Sequence, residues 1–297
     1  MTDLIQVNEE IYYIAHDANY GVVLTGDDTC AVIDTGMDDD SAQLILAALD
    51  VKGLKLGAII NTHSHADHYG GNNYLVKETG CKVYAPALEA AIMQNPSLEP
   101  FYIYGADAPE ELKQPFMMAK VSPVDELLKE PGLQIGNKKF AVISLKGHSP
   151  NQMGVMTEGV FFCSDALFSL KAWQRLILIY TVNVGEMIKS IERVKKVPAR
   201  TFIPSHAVPT ADITDLADLN IARIQSLADD ILHIVREPAT VDTILWEVND
   251  KYHVEVTSLQ QYYLCLNTLK AYLSYLLEED LINYKFDANR LLWRTVE

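Results

Sequence analysis

Basic residues are scarce in this chain of 297 residues: Lys and Arg number 24 against 40 Asp and Glu, a formal net charge of −16 at pH 7. A surface so poor in clustered cations has no general attraction for phosphate backbones or anionic lipid, which argues against nucleic acid or an extended polyanion as the ligand. No apolar run approaches the length of a membrane span, so no membrane partner is expected. The N-terminal stretch MTDLIQVNEE is acidic and shows no apolar signal-peptide core. Cysteine is sparse as well. Cys30, Cys81, Cys163 and Cys265 are scattered, without the CxxC spacing of a zinc ribbon or the density of a disulfide scaffold. The expectation is a cytoplasmic protein with reduced thiols.

Metal-ligand side chains, by contrast, stand in an ordered series. The segment THSHADH at 62–68 contributes His63, His65, Asp67 and His68, and His148, Asp165 and His206 follow. Each member closes an apolar run: LGAII leads to the cluster, FAVISLKG to His148, GVFFCS to Asp165 and TFIPS to His206. Such runs predict buried strands, which puts every ligand at a strand end and lets them converge on one edge of a core. Imidazole and carboxylate suit zinc and the neighbouring divalent transition metals. In an extended loop His63 and His65, at i and i+2, point the same way and hold one ion, with His148 as its third imidazole. Asp67 and His68 serve a second ion together with His206. Asp165 is the natural bridge, one carboxylate oxygen to each ion, leaving room between them for a hydroxide. The pattern therefore predicts two divalent transition-metal ions, zinc first, with iron or manganese also suited to these ligands. Asp34 in VIDTG is placed to accept a hydrogen bond from a ligand imidazole, though a turn-forming Asp explains it almost as well. His16, His233 and His253 have no comparable setting and are read as ordinary.

The order of elements predicts a mixed α/β protein with its chemistry in loops. IQVNEEIYYIAH and NYGVVLTGDDTCAVIDTG alternate like antiparallel strands, and residues 38–51 have helical spacing behind an acidic start. Residues 87–130, rich in Pro, Met and aromatics, interrupt the pattern. They read either as a lid or substrate wall, lined by Phe101, Tyr102, Tyr104, Phe116, Met117 and Met118, or as a helical pair packed on the core. A helix over VGEMIKSIERVKKV leads to the last ligand strand. The catalytic unit is assigned to residues 1–210. From 211 to 297 the strand pattern gives way to three helices and a terminal hairpin, a winged-helix-like arrangement. Its third helix carries Lys270 as its only base and ends on Glu278, Glu279 and Asp280, which does not suit a DNA-reading helix. Its apolar and aromatic content suggests a homo-oligomer instead.

Over about residues 5–210 the chain resembles the metallo-β-lactamase superfamily, on Asp34, the His-X-His-X-Asp-His cluster, His148, Asp165 and His206. The resemblance implies an αββα sandwich with a dinuclear site at one edge of its two sheets. VFFCSDALF looks like the segment that carries the bridging Asp in glyoxalase II type hydrolases, and the C-terminal unit looks like that of stand-alone thioesterases and ribonucleases of the superfamily. Asp165 sets the chain apart from true β-lactamases, which lack a bridging carboxylate. His65 and the absence of a flavodoxin domain set it apart from flavodiiron proteins. Glutathione thioesters need Lys or Arg in the binding site, whereas residues 207–220 offer Asp212, Asp215 and Asp218 and no base. The resulting expectation is a metal-dependent hydrolase of a small ester, thioester or lactone, in which a metal-bridging hydroxide attacks the carbonyl carbon and Asp67 helps to move the proton. The alternatives are a phosphodiesterase or ribonuclease of the same superfamily, supported by Lys189, Arg193, Lys195, Lys196 and Arg200, and an iron-dependent persulfide-type oxidation.

Overall fold

The computed structural model describes residues 4–296. Two sheets form in chain order. The first runs β1 (Ile5–Gln6), β2 (Ile11–Ala15), β3 (Asn19–Leu24), β4 (Thr29–Ile33), β5 (Lys55–Ile60), β6 (Lys82–Pro86) and β7 (Glu126–Leu128), each paired with the next. The second holds β8 (Gly132–Ile135), β9 (Lys138–Ser144), β10 (Met153–Thr157), β11 (Val160–Phe168) and β12 (Thr201–His206), in that spatial order. The meander through β4 is antiparallel; β4 to β7, linked by helices, are parallel. Between the strands lie α1 (Asp39–Val51), α2 (Ala66–Tyr69), α3 (Asn72–Thr79), α4 (Ala87–Gln94), α5 (Leu98–Tyr104), α6 (Leu170–Arg175) and α7 (Val184–Val194). After β12 come α8 (Thr214–Ile234), α9 (Val241–Lys251), α10 (Leu259–Glu278) and the hairpin β13 (Ile282–Asp287) and β14 (Arg290–Thr295).

The two-residue period of a strand explains why the layers stack. In β4, Ala31 and Ile33 face the space between the sheets while Cys30 and Val32 face α1 and α3. β5 does the same with Ala58 and Ile60 inward and Ile59 outward. β11 turns Val160 and Phe162 inward and Phe161 and Cys163 outward, against α7 and the C-terminal helices. Strands apolar on both faces need cover on both faces, and the outcome is the αββα sandwich.

α1 starts as its sequence suggests, with the Asp38 carboxylate accepting from Ser41 N at 2.9 Å. Three local readings change, and one left open is decided. The sheet resumes earlier than expected, because β7 lies inside the 87–130 stretch and pairs in parallel with β6; its short, charged sequence gives no alternation. The segment before it takes the second of its two expected forms, the helical pair α4 and α5, followed by a 3-10 turn at Glu110–Leu112. The metal-ligand cluster is extended only to His65, after which Asp67 and His68 belong to the short helix α2. Asp165 is not at a strand end: β11 continues to Phe168 through a bulge, with Ser164 in the left-handed region at φ 53°.

The apolar residues after 211, expected to drive self-association, mostly complete the chain's own core. Ile224, Leu227, Ile231, Leu245, Leu269 and Leu273 share one cluster with Phe161, Cys163, Met187 and Ile191. The helical C-terminal region therefore covers the outer face of the second sheet.

Candidate metal centre

The parallel order of β4, β5 and β6 brings the ends of β4 and β5 together, and β11 and β12 arrive from the facing sheet. Three groups that could hold a metal ion meet there: His63, His65 and His148; His63, His68 and Asp165; and Asp67, His68 and His206. In the first group, His63 Nε2 lies 3.1 Å from His65 Nδ1, and His148 Nε2 lies 2.8 Å from that same nitrogen. Three imidazole nitrogens about one tetrahedral ion would stand ~3.3 Å apart. Asp165 lies between the groups. Its Oδ1 is 3.3 Å from His68 Nε2, and its Oδ2 is 3.4 Å from His148 Nε2 and 3.3 Å from His206 Nε2. Asp67 Oδ2 is 3.5 Å from His206 Nε2 and 3.7 Å from His68 Nε2.

The outer nitrogens fix the tautomers. His68 Nδ1 is held at 2.9 Å by Asp34 Oδ2, His148 Nδ1 at 2.7 Å by the Tyr180 carbonyl, and His206 Nδ1 at 3.1 Å by the Asp17 carbonyl. Each acceptor keeps a proton on Nδ1 and turns Nε2 toward the centre. His63 follows by elimination. Ser164 Oγ donates to Thr62 Oγ1 at 2.7 Å and Thr62 Oγ1 donates to Asp34 Oδ2 at 2.8 Å, so His63 Nδ1, 3.1 Å from Thr62 Oγ1, must be the donor there. Asp34 is buried with φ 59° and also accepts from Thr62 N at 2.8 Å, so it locks the ligand loop and His68 together.

Among the described residues, two buried atoms inside the cluster, His68 Nε2 and Asp165 Oδ1, lie 3.3 Å apart without a well-formed hydrogen bond. A cation shared between them would satisfy both. The charges divide in the same way. Burial, aided by neighbouring imidazoles, lowers His63 well below its ordinary value, His65 to about 4 and His148 to about 3. Burial opposes charge on His68 and His206 too, but Asp165 and Asp67 outweigh it, raising His68 well above its ordinary value and His206 to about 10. Asp67 and Asp165 are driven below the usual carboxylate range, since the His68 and His206 cations overcome the opposing effect of burial. A neutral three-histidine group thus adjoins one in which two carboxylates face two imidazolium ions, whose protons a metal ion would replace. The donor set fits two divalent cations.

Residues 15–206, which carry this whole arrangement, match the family model of the metallo-beta-lactamase superfamily. The chain belongs to this superfamily. Among its curated members, a hydroxyacylglutathione hydrolase of Methylococcus capsulatus is 25% identical over 209 residues, 68% of this chain and 65% of that protein. One from Vibrio cholerae is 27% identical over 224 residues, 75% of this chain and 73% of the other. The match to the Methylococcus protein thus falls just short of two thirds of its length. A metallo-beta-lactamase family protein of Thermus thermophilus superposes with a TM-score of 0.74 at 21% identity, covering 98% of this chain and 100% of that one. A beta-lactamase domain protein of Burkholderia ambifaria gives 0.75 at 17% identity, over 99% and 94%. These likenesses show a common fold that extends through the C-terminal helices.

Within this superfamily member the wall expected from residues 87–130 is built differently. Tyr104 turns to α10, its ring 5.0 Å from that of Tyr263 in an edge contact, and Met117 is buried at 3% exposure. Phe101 and Phe116 are open to solvent, 54% exposed each. The reason is the helical period of α5: Glu99 and Tyr102, three apart, share the face toward the histidines, and Phe101 and Tyr104 share another. What the stretch delivers to the site is a pair of buried acids. Glu89 of α4 accepts from Ser64 N at 3.1 Å, Ser64 Oγ at 2.5 Å, Ser149 Oγ at 2.8 Å and Asn151 N at 2.7 Å. It binds the His63–His65 loop to the His148 loop. Glu99 of α5 lies behind His65, 3.7 Å from its Nε2. Each is the only charged residue of its helix, ALEAAIMQ and LEPFYIY. That isolation was the available signal, since a lone acid in an apolar helix asks for a partner.

Beside the second group opens a cavity of about 360 Å³ whose lining, among the described residues, includes Asp17, Asp38, Asp40 and Asp67 and no Lys or Arg. Among the described residues, no helix is long and apolar enough to cross a membrane.

Proposed function

We propose that this chain is a dinuclear metal-dependent hydrolase that cleaves a small ester, thioester or lactone. The observation that carries the reading is the position of Asp165, within 3.4 Å of His68, His148 and His206 at once. One ion would be held by His63, His65 and His148, the other by Asp67, His68 and His206, with Asp165 common to both; zinc is the first choice. Bound there, the ions supply a hydroxide at neutral pH and Lewis-acid polarisation of a carbonyl. The residues of the chain do the rest. Asp34, Tyr180 and Asp17 hold the imidazoles in their ligating tautomers, and Asp67, kept ionised, is placed to take up a proton.

The hydroxyacylglutathione hydrolase relatives favour a thioester. The acidic cavity disfavours the carboxylates of glutathione itself, so a thioester with a neutral or cationic leaving group is the first substrate to test. The experiment is metal analysis of the purified protein, paired with turnover of a neutral thioester, a glutathione thioester, a lactone and single-stranded RNA. Close to two metal ions per chain and fastest turnover on a neutral acyl substrate are expected. A single ion after saturation, or metal-dependent RNA cleavage faster than every acyl substrate, would overturn the reading.

A further inference from the structure

Four of the ligand imidazoles have an acceptor for the proton on their outer nitrogen: a hydroxyl for His63, a carboxylate for His68, and main-chain carbonyls for His148 and His206. His65 is the exception. It turns Nδ1, not Nε2, toward its fellow ligands, so its outer nitrogen is Nε2, which is buried and has no hydrogen-bond partner among the described residues. The group that faces this nitrogen is the carboxyl of Glu99, 3.7 Å away and itself 6% exposed. A carboxyl is not buried beside an imidazole without cost, and nothing in the apolar sequence of α5 calls for one. The Tyr102 hydroxyl lies beside Glu99 and also beside Tyr180, whose main-chain carbonyl orients His148. α5 is braced from behind, where Asn267 of α10 donates to the Ile103 carbonyl at 2.7 Å.

We infer that Glu99 is the positioning residue for His65: it accepts the Nε2 proton once Nδ1 is committed to a metal ion, and so completes the set of outer partners around the three-histidine group. A closure of ~0.8 Å brings the pair from its present separation to hydrogen-bond length. The inference rests on the metal reading of the preceding subsection. Its role is to fix the ring and raise the basicity of Nδ1, and the acid takes no part in the reaction. Loss of such an outer partner lowers metal affinity ~10–100-fold.

The test uses the full chain, stripped of metal and titrated with zinc against a competing chelator. Glu99→Met keeps the bulk and removes the acceptor; Glu99→Gln keeps the bulk and one acceptor oxygen. The expected result is a ~10–100-fold weaker first zinc in Glu99→Met, with partial but incomplete recovery in Glu99→Gln. The zinc-loaded wild type should also show a downfield Nε2 proton resonance, assigned to His65 by its absence in His65→Ala and lost in Glu99→Met. Should Glu99→Met fail to fold, Glu99→Gln decides alone: a zinc affinity lower than wild type supports the role and an unchanged one overturns it. Unchanged affinity in both variants, or persistence of the His65 resonance in Glu99→Met, overturns it too. Failure of the wild type to bind zinc would instead strike at the metal reading itself.

Discussion

In the proposed site a single pair of oxygens, those of Asp165, lies between the two ligand groups. Asp165→Asn preserves shape but replaces one anionic oxygen by an amide nitrogen that cannot face a cation. The first metal should persist on His63, His65 and His148, the second should weaken, and turnover should fall at least ~100-fold, given how much a metal-generated nucleophile contributes. Metal analysis and kcat on the same preparation check this; near-normal turnover with two ions bound would place the bridge elsewhere. Proton competition separates the groups independently. Without metal, His206 keeps its proton until pH rises through about 10, and His68 is raised likewise, whereas His65 and His148 are neutral above about 4 and 3. Metal must displace the protons of the first pair and finds none on the second. Between pH 6 and 8 the affinity for the second zinc should therefore rise with pH, while that for the first stays level. Calorimetric titration in buffers of different ionisation heat reads both, and two pH-independent steps would contradict the assignment.

At the scale of elements, the junction of α2 and α3 shows how closely the ligand loop is fitted. A side-chain carbon on Gly70 would lie 1.8 Å from the Met37 carbonyl oxygen, a backbone atom that cannot rotate away. Gly70→Ala should push α2 off the loop after Asp34 and cost ~1–3 kcal/mol, measured by denaturant unfolding, with weaker zinc binding at the His68 group. The elements also show what the sequence made legible. The ligand series, the alternating strands, α1 and the sequence of C-terminal helices and hairpin could be read because each has a local signal: apolar period, cap, or spacing of like residues. α2, β7 and the bulge at Ser164 could not. Each is short, and each is fixed by its neighbours: α2 by the loop it packs under, β7 by pairing with β6, Ser164 by the need to aim Asp165 inward from the middle of a strand. Asp34 lay within reach because a carboxylate near a turn is a recognisable type. Glu99 stands out in the sequence only as a lone acid in an apolar helix; its partner, 34 residues earlier in the chain, is met only through the packing of α5.

For the whole molecule, the proposed boundary near residue 210 is a change of architecture without a change of core. Cys265, Leu269 and Leu276 lie in the same cluster as Phe161 and Val184, and α10 touches α5 as well as α7. Removing residues 211–297 would uncover the outer face of β11 and α7, a patch well beyond what a monomer tolerates. The shortened chain should aggregate or lose its sharp thermal transition, and the intact chain should unfold in one step. A well-folded, monomeric 1–210 fragment would show instead that the C-terminal helices are a separable appendage.

The acidic cavity beside Asp67 bears on time as well as on substrate choice. An approaching divalent cation meets a field that draws it inward, and an anionic chelator meets the same field reversed. Metal capture should be fast and slowed by salt, and stripping by a polyanionic chelator should lag behind stripping by an uncharged one of similar affinity. The protein would then hold its ions partly by the field of the carboxylates beside them.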